Sequence, residues 1–162
     1  MSRAERRVRV VRVVGVGSPG AGDDAAGVLA VRRVRAELER LGVEVVEIAA
    51  AAHLLDALQG VDAVLVVDAV RAPGLRPGAL VRVEAGPEGL PVELGGSLSS
   101  HGLGVAEAVA LAAALPEPPR VVVLGVQVAE ARAGAPVSDP VAAALPELAA
   151  RVLAEARILS QH

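Results

Sequence analysis

Residues 8–27 read VRVVRVVGVGSPGAGDDAAG. The valine-rich part, residues 8–16, predicts a first β-strand, and the glycines and proline that follow predict a loop. Asp23 and Asp24 come next, at a place where acids are favoured in the first turn of a helix. A strand, a glycine-rich loop and a helix in this order are typical of an α/β domain.

The same alternation continues along the chain and predicts a single domain over residues 1–162. An unbroken apolar run at 63–67 is typical of a central strand buried on both faces, and Asp68 ends it. The connection at 68–79 has no helical pattern, so the fourth strand should pair antiparallel or lie at an edge. Further strands are expected at 43–48, 79–84 and 120–126, a long loop at 86–100, and helices at 24–41, 53–58, 102–115 and 139–159, the last kinked or split by Pro146.

Composition excludes several classes of protein. With 53% hydrophobic and 22% charged residues the chain is not disordered. It has no Cys, Phe, Tyr or Trp and a net charge of −3, which excludes disulfides and thiolate metal sites and gives no base-stacking surface for nucleic acid. No window is apolar enough to span a membrane. Arg9 and Arg12 interrupt any apolar segment after Arg6-Arg7, so we expect a cytoplasmic protein.

Three polar residues stand at the predicted carboxyl ends of strands or at the end of the long loop. Asp24 follows the first strand, Asp68 ends the third, and His101 precedes a helix. Ligands of open α/β sheets bind outside the carboxyl ends of the strands, and two carboxylates with one imidazole make a plausible three-ligand metal set. Each also has a structural explanation, as a helix cap, a turn residue or an exposed loop residue. His53 and His162 are expected to be incidental.

Rival motifs are weaker. The segment 15–20 fits the dinucleotide pattern G-x-G-x-x-G, with Glu47 as the ribose-binding acid, but Asp23 and Asp24 would place negative charge near a pyrophosphate. A P-loop is excluded because the chain has no Lys. The serines at 97, 99 and 100 beside His101 lack the G-x-S-x-G turn of a serine hydrolase.

The segment 15–27 resembles the N-terminal motif of the hydrogenase maturation proteases, G-x-G-N-x-x-x-x-D-[DE]-x-x-G, with Ser18 in place of the asparagine. The resemblance continues in order and spacing over residues 8–159, at 66–70, 77–78, 100–104 and 122–127. It implies a three-layer α/β/α fold of the phosphorylase/hydrolase-like type, with a five-stranded, mostly parallel, mixed and twisted sheet that contains one antiparallel strand.

The resemblance also implies a function. Members of that family are endopeptidases, aspartic-type by classification, that remove the C-terminal extension of a [NiFe] hydrogenase large-subunit precursor after nickel insertion. The family's metal-contacting residues fall on Asp24, Asp68 and His101. They would sense nickel carried by the substrate, and another divalent metal could occupy the site in its absence. The alternative is a non-catalytic metal- or dinucleotide-binding α/β module on the same sheet.

Overall fold

The structure is a computed structural model that describes residues 8–91, 104–129 and 134–161. Five strands form one sheet in the order β2-β1-β3-β5-β4, and only β4 runs antiparallel to its neighbour. This confirms the mixed sheet, and the fourth strand is both antiparallel and at an edge. The strands are β1 (Val11–Val16), β2 (Glu44–Ile48), β3 (Ala63–Val70), β4 (Leu80–Glu84) and β5 (Arg120–Gln127).

Helices cover both faces of the sheet, which confirms the three-layer α/β/α architecture. Helices α1, α2 and α5 pack on one face, and α3 and α4 pack on the other. A 3-10 turn at Gly22–Ala25 connects the loop after β1 to α1, and a second at Ala51–His53 precedes α3. The helices are α1 (Ala26–Arg33), α2 (Arg35–Arg40), α3 (Leu54–Ala57), α4 (Val105–Ala113) and α5 (Asp139–Gln161).

The central strand β3 is buried along its whole length. Its side chains alternate between the two cores, as strand geometry requires. Leu65 and Val67 lie in the core under α1 and α5, and Val66 and Val70 lie in the core under α3 and α4. Asp68 falls between Val66 and Val70 in this alternation, so it belongs to the α3 and α4 face.

Several predicted boundaries are wrong. Strand β3 does not end before Asp68 but continues to Val70, because its pairing with β5 continues to Gln127. The first predicted helix is divided at Val34, whose N–H bonds to the carbonyl of Val31 in a tightened turn. Helix α5 is continuous through Pro146, so the predicted split does not occur. Packing of α5 against the sheet compensates for the backbone hydrogen bond that Pro146 cannot donate.

His101 and the serines at 97, 99 and 100 lie outside the described residues. Within the described ranges, no helix combines the length and the apolar character needed to cross a lipid bilayer.

Candidate functional site

The structure brings Asp24 and Asp68 together at the carboxyl ends of β1 and β3. The pairing of these two strands ends with Gly15 beside Val67, one residue before Asp68. The chain then enters the loop and the 3-10 turn that carries Asp24. The two carboxyl groups are close enough for the charge of Asp24 to raise the pKa of Asp68. This is the juxtaposition predicted from the sequence for these two residues.

Two glycines allow this close approach. A Cβ atom at Gly17 would overlap the carbonyl oxygen of Asp24, and the φ angle of +134° at Gly17 also favours glycine. A Cβ atom at Gly27 would overlap the carbonyl oxygen of Val67. The backbone of the turn and of α1 therefore lies directly against β1 and β3. The spacing of the glycines in the segment 15–27 therefore allows Asp24 to lie near Asp68.

Asp68 is a buried acid that holds a proton at neutral pH. Its side chain is mostly enclosed, and its Oδ1 atom accepts a 2.8 Å hydrogen bond from the N–H of Ala69. Burial raises the pKa of Asp68 to about 8, and the nearby charge of Asp24 adds to this rise, whereas the Ala69 N–H and the charge of Arg71 oppose it. A carboxyl group with a pKa near neutrality is suited to proton transfer and to pH-dependent ligand binding.

Asp24 is the accessible member of the pair. Its Oδ1 atom lies 3.1 Å from Nη2 of Arg71, and the two side chains are 38% and 37% exposed. Neither Asp24 nor Asp23 caps a helix, because neither the 3-10 turn nor α1 has a side-chain capping bond. Sequence reasoning missed Arg71. The available signal was its place as the first charged residue after the strand that carries Asp68.

Asp23 has a different environment from its neighbour Asp24. It is fully buried. Its Oδ2 atom accepts hydrogen bonds from the N–H of Ala129 and from the hydroxyl of Ser138, both at 2.9 Å, and its Oδ1 atom accepts one from the N–H of Ser138 at 2.7 Å. Asp23 thus links the turn that carries Asp24 to Ala129, two residues after β5, and to Ser138, immediately before α5.

Gln127 at the end of β5 fastens a second loop, which begins with Arg71. Its side-chain Oε1 accepts a 2.9 Å hydrogen bond from the N–H of Ala72, and its backbone carbonyl accepts one of 2.8 Å from Gly78. Both ends of the loop between β3 and β4 are therefore held against β5. The backbone that carries Arg71 is anchored, and its exposed side chain reaches Asp24.

The dinucleotide interpretation is not favoured by these contacts. Glu47, the candidate ribose-binding acid, is engaged by Arg32 at 2.7 Å and by Arg35 at 3.4 Å. These arginines hold the pKa of Glu47 below its usual value, first through the Arg32 hydrogen bond. In addition, the 3-10 turn separates the glycine loop from the first residue of α1.

Carboxylate oxygens are ligands that divalent cations prefer, and Asp24 and Asp68 are close enough to influence each other electrostatically. Across residues 8–91, 104–129 and 134–161, no group of three His, Cys, Asp or Glu side chains is arranged to hold a metal. His101, the expected third ligand, is outside those ranges. A cavity of about 560 Å³ is lined by residues that include Gly60, Asp62 and Pro118. It lies at the amino ends of β3 and β5, at the opposite end of these strands from Asp68.

Comparisons with known proteins agree with this fold. Residues 29–155 match the sequence profile of a family described as "HycI: Hydrogenase maturation protease". No curated protein sequence matches the chain. The fold is similar to that of an endopeptidase from Escherichia coli solved in solution, with a TM-score of 0.73, 25% identity, and coverage of 91% of this chain and 92% of the other.

Two further solved structures share the fold. Hydrogenase maturating endopeptidase HybD from E. coli has a TM-score of 0.72 and 23% identity, covering 91% of this chain and 92% of its own. The [NiFe] hydrogenase maturation protease HycI from Thermococcus kodakarensis KOD1 has a TM-score of 0.70 and 22% identity, covering 94% of this chain and 95% of its own.

Proposed function

Because this chain belongs to the hydrogenase maturation protease family, we propose that it removes the C-terminal extension of a [NiFe] hydrogenase large-subunit precursor after nickel insertion. The nickel belongs to the substrate in this proposal. Asp24, Asp68 and His101 would contact it from the side of the protease. The precursor would be met in the cytoplasm, as expected from the sequence.

The observation that supports this proposal most is the pairing of an accessible carboxylate with a buried, proton-bearing one. Asp24 is 38% exposed and can meet a ligand that arrives from solvent. Asp68 is buried, and burial raises its pKa to about 8. A divalent cation that reached both groups would favour loss of the Asp68 proton, since metal ligation requires the carboxylate form. Binding of the substrate's metal and ionisation of Asp68 would therefore be coupled.

The coupling gives the protease a way to act only on a nickel-loaded precursor. Nickel near the scissile bond would polarise the peptide carbonyl or activate a water molecule as a Lewis acid. In the rival mechanism, an ionised carboxylate of the site takes a proton from water as a general base. The resulting hydroxide attacks the carbonyl carbon, the C–N bond breaks, and the departing amine receives the proton. The aspartic-type classification corresponds to this second mechanism.

Asp23 and Gln127 would position the site without touching the substrate's metal. Asp23 is fully buried and fixes the turn that carries Asp24. Gln127 fixes the loop that begins with Arg71. The partners of Asp23, Ala129 and Ser138, follow β5, and Gln127 is the last residue of β5. The positions of the site carboxylates therefore depend on β5 lying beside β3.

The experiment is a processing assay with purified protein and two forms of the cognate precursor, one loaded with nickel and one free of it. Mass spectrometry follows the loss of a C-terminal peptide from the large subunit. We expect cleavage of the nickel-loaded form only. Equal cleavage of both forms would overturn metal gating, and no cleavage of a competent precursor would overturn the proposed activity.

A further inference from the structure

Arg71 forms an ion pair with Asp24, and no other ion pair of Asp24 is found among the described residues. Its Nη2 atom lies 3.1 Å from Oδ1 of Asp24, and both side chains are more than one third exposed. Arg71 also acts on Asp68, whose pKa its positive charge lowers. The site that gathers two acids therefore already contains a cation from the protein's own chain.

The backbone of Arg71 is held in place, but its side chain is free to move away. The next residue, Ala72, is fastened to the side chain of Gln127. No hydrogen bond or ion pair of the Arg71 guanidinium other than that to Asp24 is found in the part of the chain that the structure describes. An incoming cation can therefore bind the Asp24 carboxylate by displacing one exposed guanidinium, and the loop backbone need not rearrange.

We propose that Arg71 is a specificity-determining residue, a built-in counter-cation that keeps free divalent metal ions off Asp24 and Asp68. A guanidinium keeps its charge at every physiological pH. It repels a divalent ion about twice as strongly as it repels a proton, because Coulomb energy scales with the product of the charges. A free ion must overcome this repulsion through its contacts with the protein side chains alone, whereas a metal carried by a protein substrate also has the contacts of the substrate. The inference rests on the proposed role of Asp24 and Asp68 in meeting the metal.

The expected size of the effect is modest. An exposed ion pair contributes little by itself, and solvent screens the repulsion between Arg71 and a bound ion. Removing the charge should raise the affinity for a free divalent ion by roughly three- to tenfold. Such a change matters when the metal concentration is close to the dissociation constant of the site.

The test measures binding of nickel chloride to the metal-free protein by isothermal titration calorimetry, in a buffer above the pKa of Asp68. The variant is Arg71→Gln, and the matched control is Arg76→Gln. Arg76 lies in the same loop, is exposed, and makes no side-chain hydrogen bond or ion pair among the described residues. Both variants remove one positive charge, so the net charge of the protein changes equally.

We expect Arg71→Gln to bind nickel several-fold more tightly than both the wild-type protein and Arg76→Gln. Arg71→Lys, which keeps the charge, should stay close to the wild-type affinity. The gain should disappear when Asp68→Asn is added to Arg71→Gln. Equal affinities of the two glutamine variants, weaker binding by Arg71→Gln, or no nickel binding by any variant would each overturn the inference.

The nickel-binding test and the processing assay distinguish a failure of this inference from a failure of the proposed function. If the wild-type protein cleaves the nickel-loaded precursor but Arg71→Gln gains no nickel affinity, only the role of Arg71 fails. If Arg71→Gln gains affinity but no precursor is cleaved, the counter-cation role stands and the proposed activity fails.

Discussion

The Oδ1 atom of Asp23 accepts a 2.7 Å hydrogen bond from the N–H of Ser138, a residue 115 positions further along the chain. The other carboxyl oxygen accepts the Ser138 hydroxyl and the N–H of Ala129. One buried side chain thus links the turn after β1, the end of β5 and the start of α5. The neighbouring Asp24 owes its position to this link.

We predict that Asp23→Ala lowers the free energy of unfolding by about 3–5 kcal/mol, because it removes a fully buried acceptor of three hydrogen bonds. Ser138→Ala, which removes one donor, should cost about 1 kcal/mol. The measurement is urea unfolding followed by circular dichroism. Asp56→Ala is the control, since Asp56 is exposed on α3. An Asp23→Ala protein as stable as this control would contradict the role of Asp23.

Gly27→Ala should destabilise the protein although it adds a better helix former to α1. Helix propensity alone predicts a gain of up to about 1 kcal/mol. The new Cβ atom, however, would overlap the carbonyl oxygen of Val67, and we expect a net loss of about 2–4 kcal/mol. Gly86→Ala is the control, because the nearest atom to a Cβ there is 3.9 Å away. A gain in stability for Gly27→Ala, measured by thermal unfolding, would show that α1 does not contact β3 so closely.

Asp68 should make the metal-free protein less stable as the pH rises. Burial raises its pKa to about 8, from the ordinary aspartate value of 3.8. Between these two values the folded state keeps a proton that the unfolded state has released. The contribution of Asp68 is therefore fully present below pH 3.8 and is lost as the pH rises through about 8.

The expected slope from this group is at most about 1.4 kcal/mol per pH unit. Asp68→Asn mimics the protonated acid, so the unfolding free energy of this variant should depend less on pH across that window. Chemical unfolding at a series of pH values measures the difference, with Asp56→Asn as the control for removal of an acid. Parallel pH profiles for the wild-type protein and Asp68→Asn would exclude a raised pKa at this position.

The ion pair between Arg82 and Glu155 should contribute more than the helical pair between Arg151 and Glu147. Nη2 of Arg82 lies 2.6 Å from Oε1 of Glu155, whose side chain is only 11% exposed. Removal of Arg82 leaves a poorly hydrated carboxylate, so Arg82→Ala should cost about 1–3 kcal/mol. Arg151→Ala should cost less than about 0.5 kcal/mol, because both partners of that pair are exposed. Similar losses for the two variants, measured by urea unfolding, would refute the distinction.

Local patterns in the sequence predict most of the fold. The apolar run at 63–67 marks the central strand because a strand buried on both faces needs no polar positions. The helix-free connection before β4 predicts its antiparallel or edge position, since parallel strands require a long crossover. Asp24 and Asp68 could be predicted as neighbours because the carboxyl ends of parallel strands lie at one edge of the sheet.

Contacts that depend on strand order could not be predicted in this way. The pairing of Asp23 with Ser138 requires α5 to begin beside the turn after β1, and hydrophobic periodicity does not specify that. Arg71 and Asp24 are 47 residues apart and meet only because β1 and β3 are adjacent. The sequence predicts a kink or split at Pro146 because proline removes a backbone hydrogen bond of the helix. The packing of Leu145 and Leu148 in the core, which stabilises the continuous helix, is a tertiary effect. The role of His101 stays a prediction.

The most direct test of the account compares cleavage rates of the nickel-loaded precursor by the wild-type protein and by Asp24→Asn, Asp68→Asn and Asp56→Asn, each shown to be folded. We predict that the first two variants lose processing by at least about a hundredfold, as expected when a metal-contacting or proton-transferring carboxylate is removed. Asp56→Asn should retain the wild-type rate. Wild-type processing by Asp24→Asn and Asp68→Asn would contradict the central claim that this carboxylate pair meets the substrate's nickel.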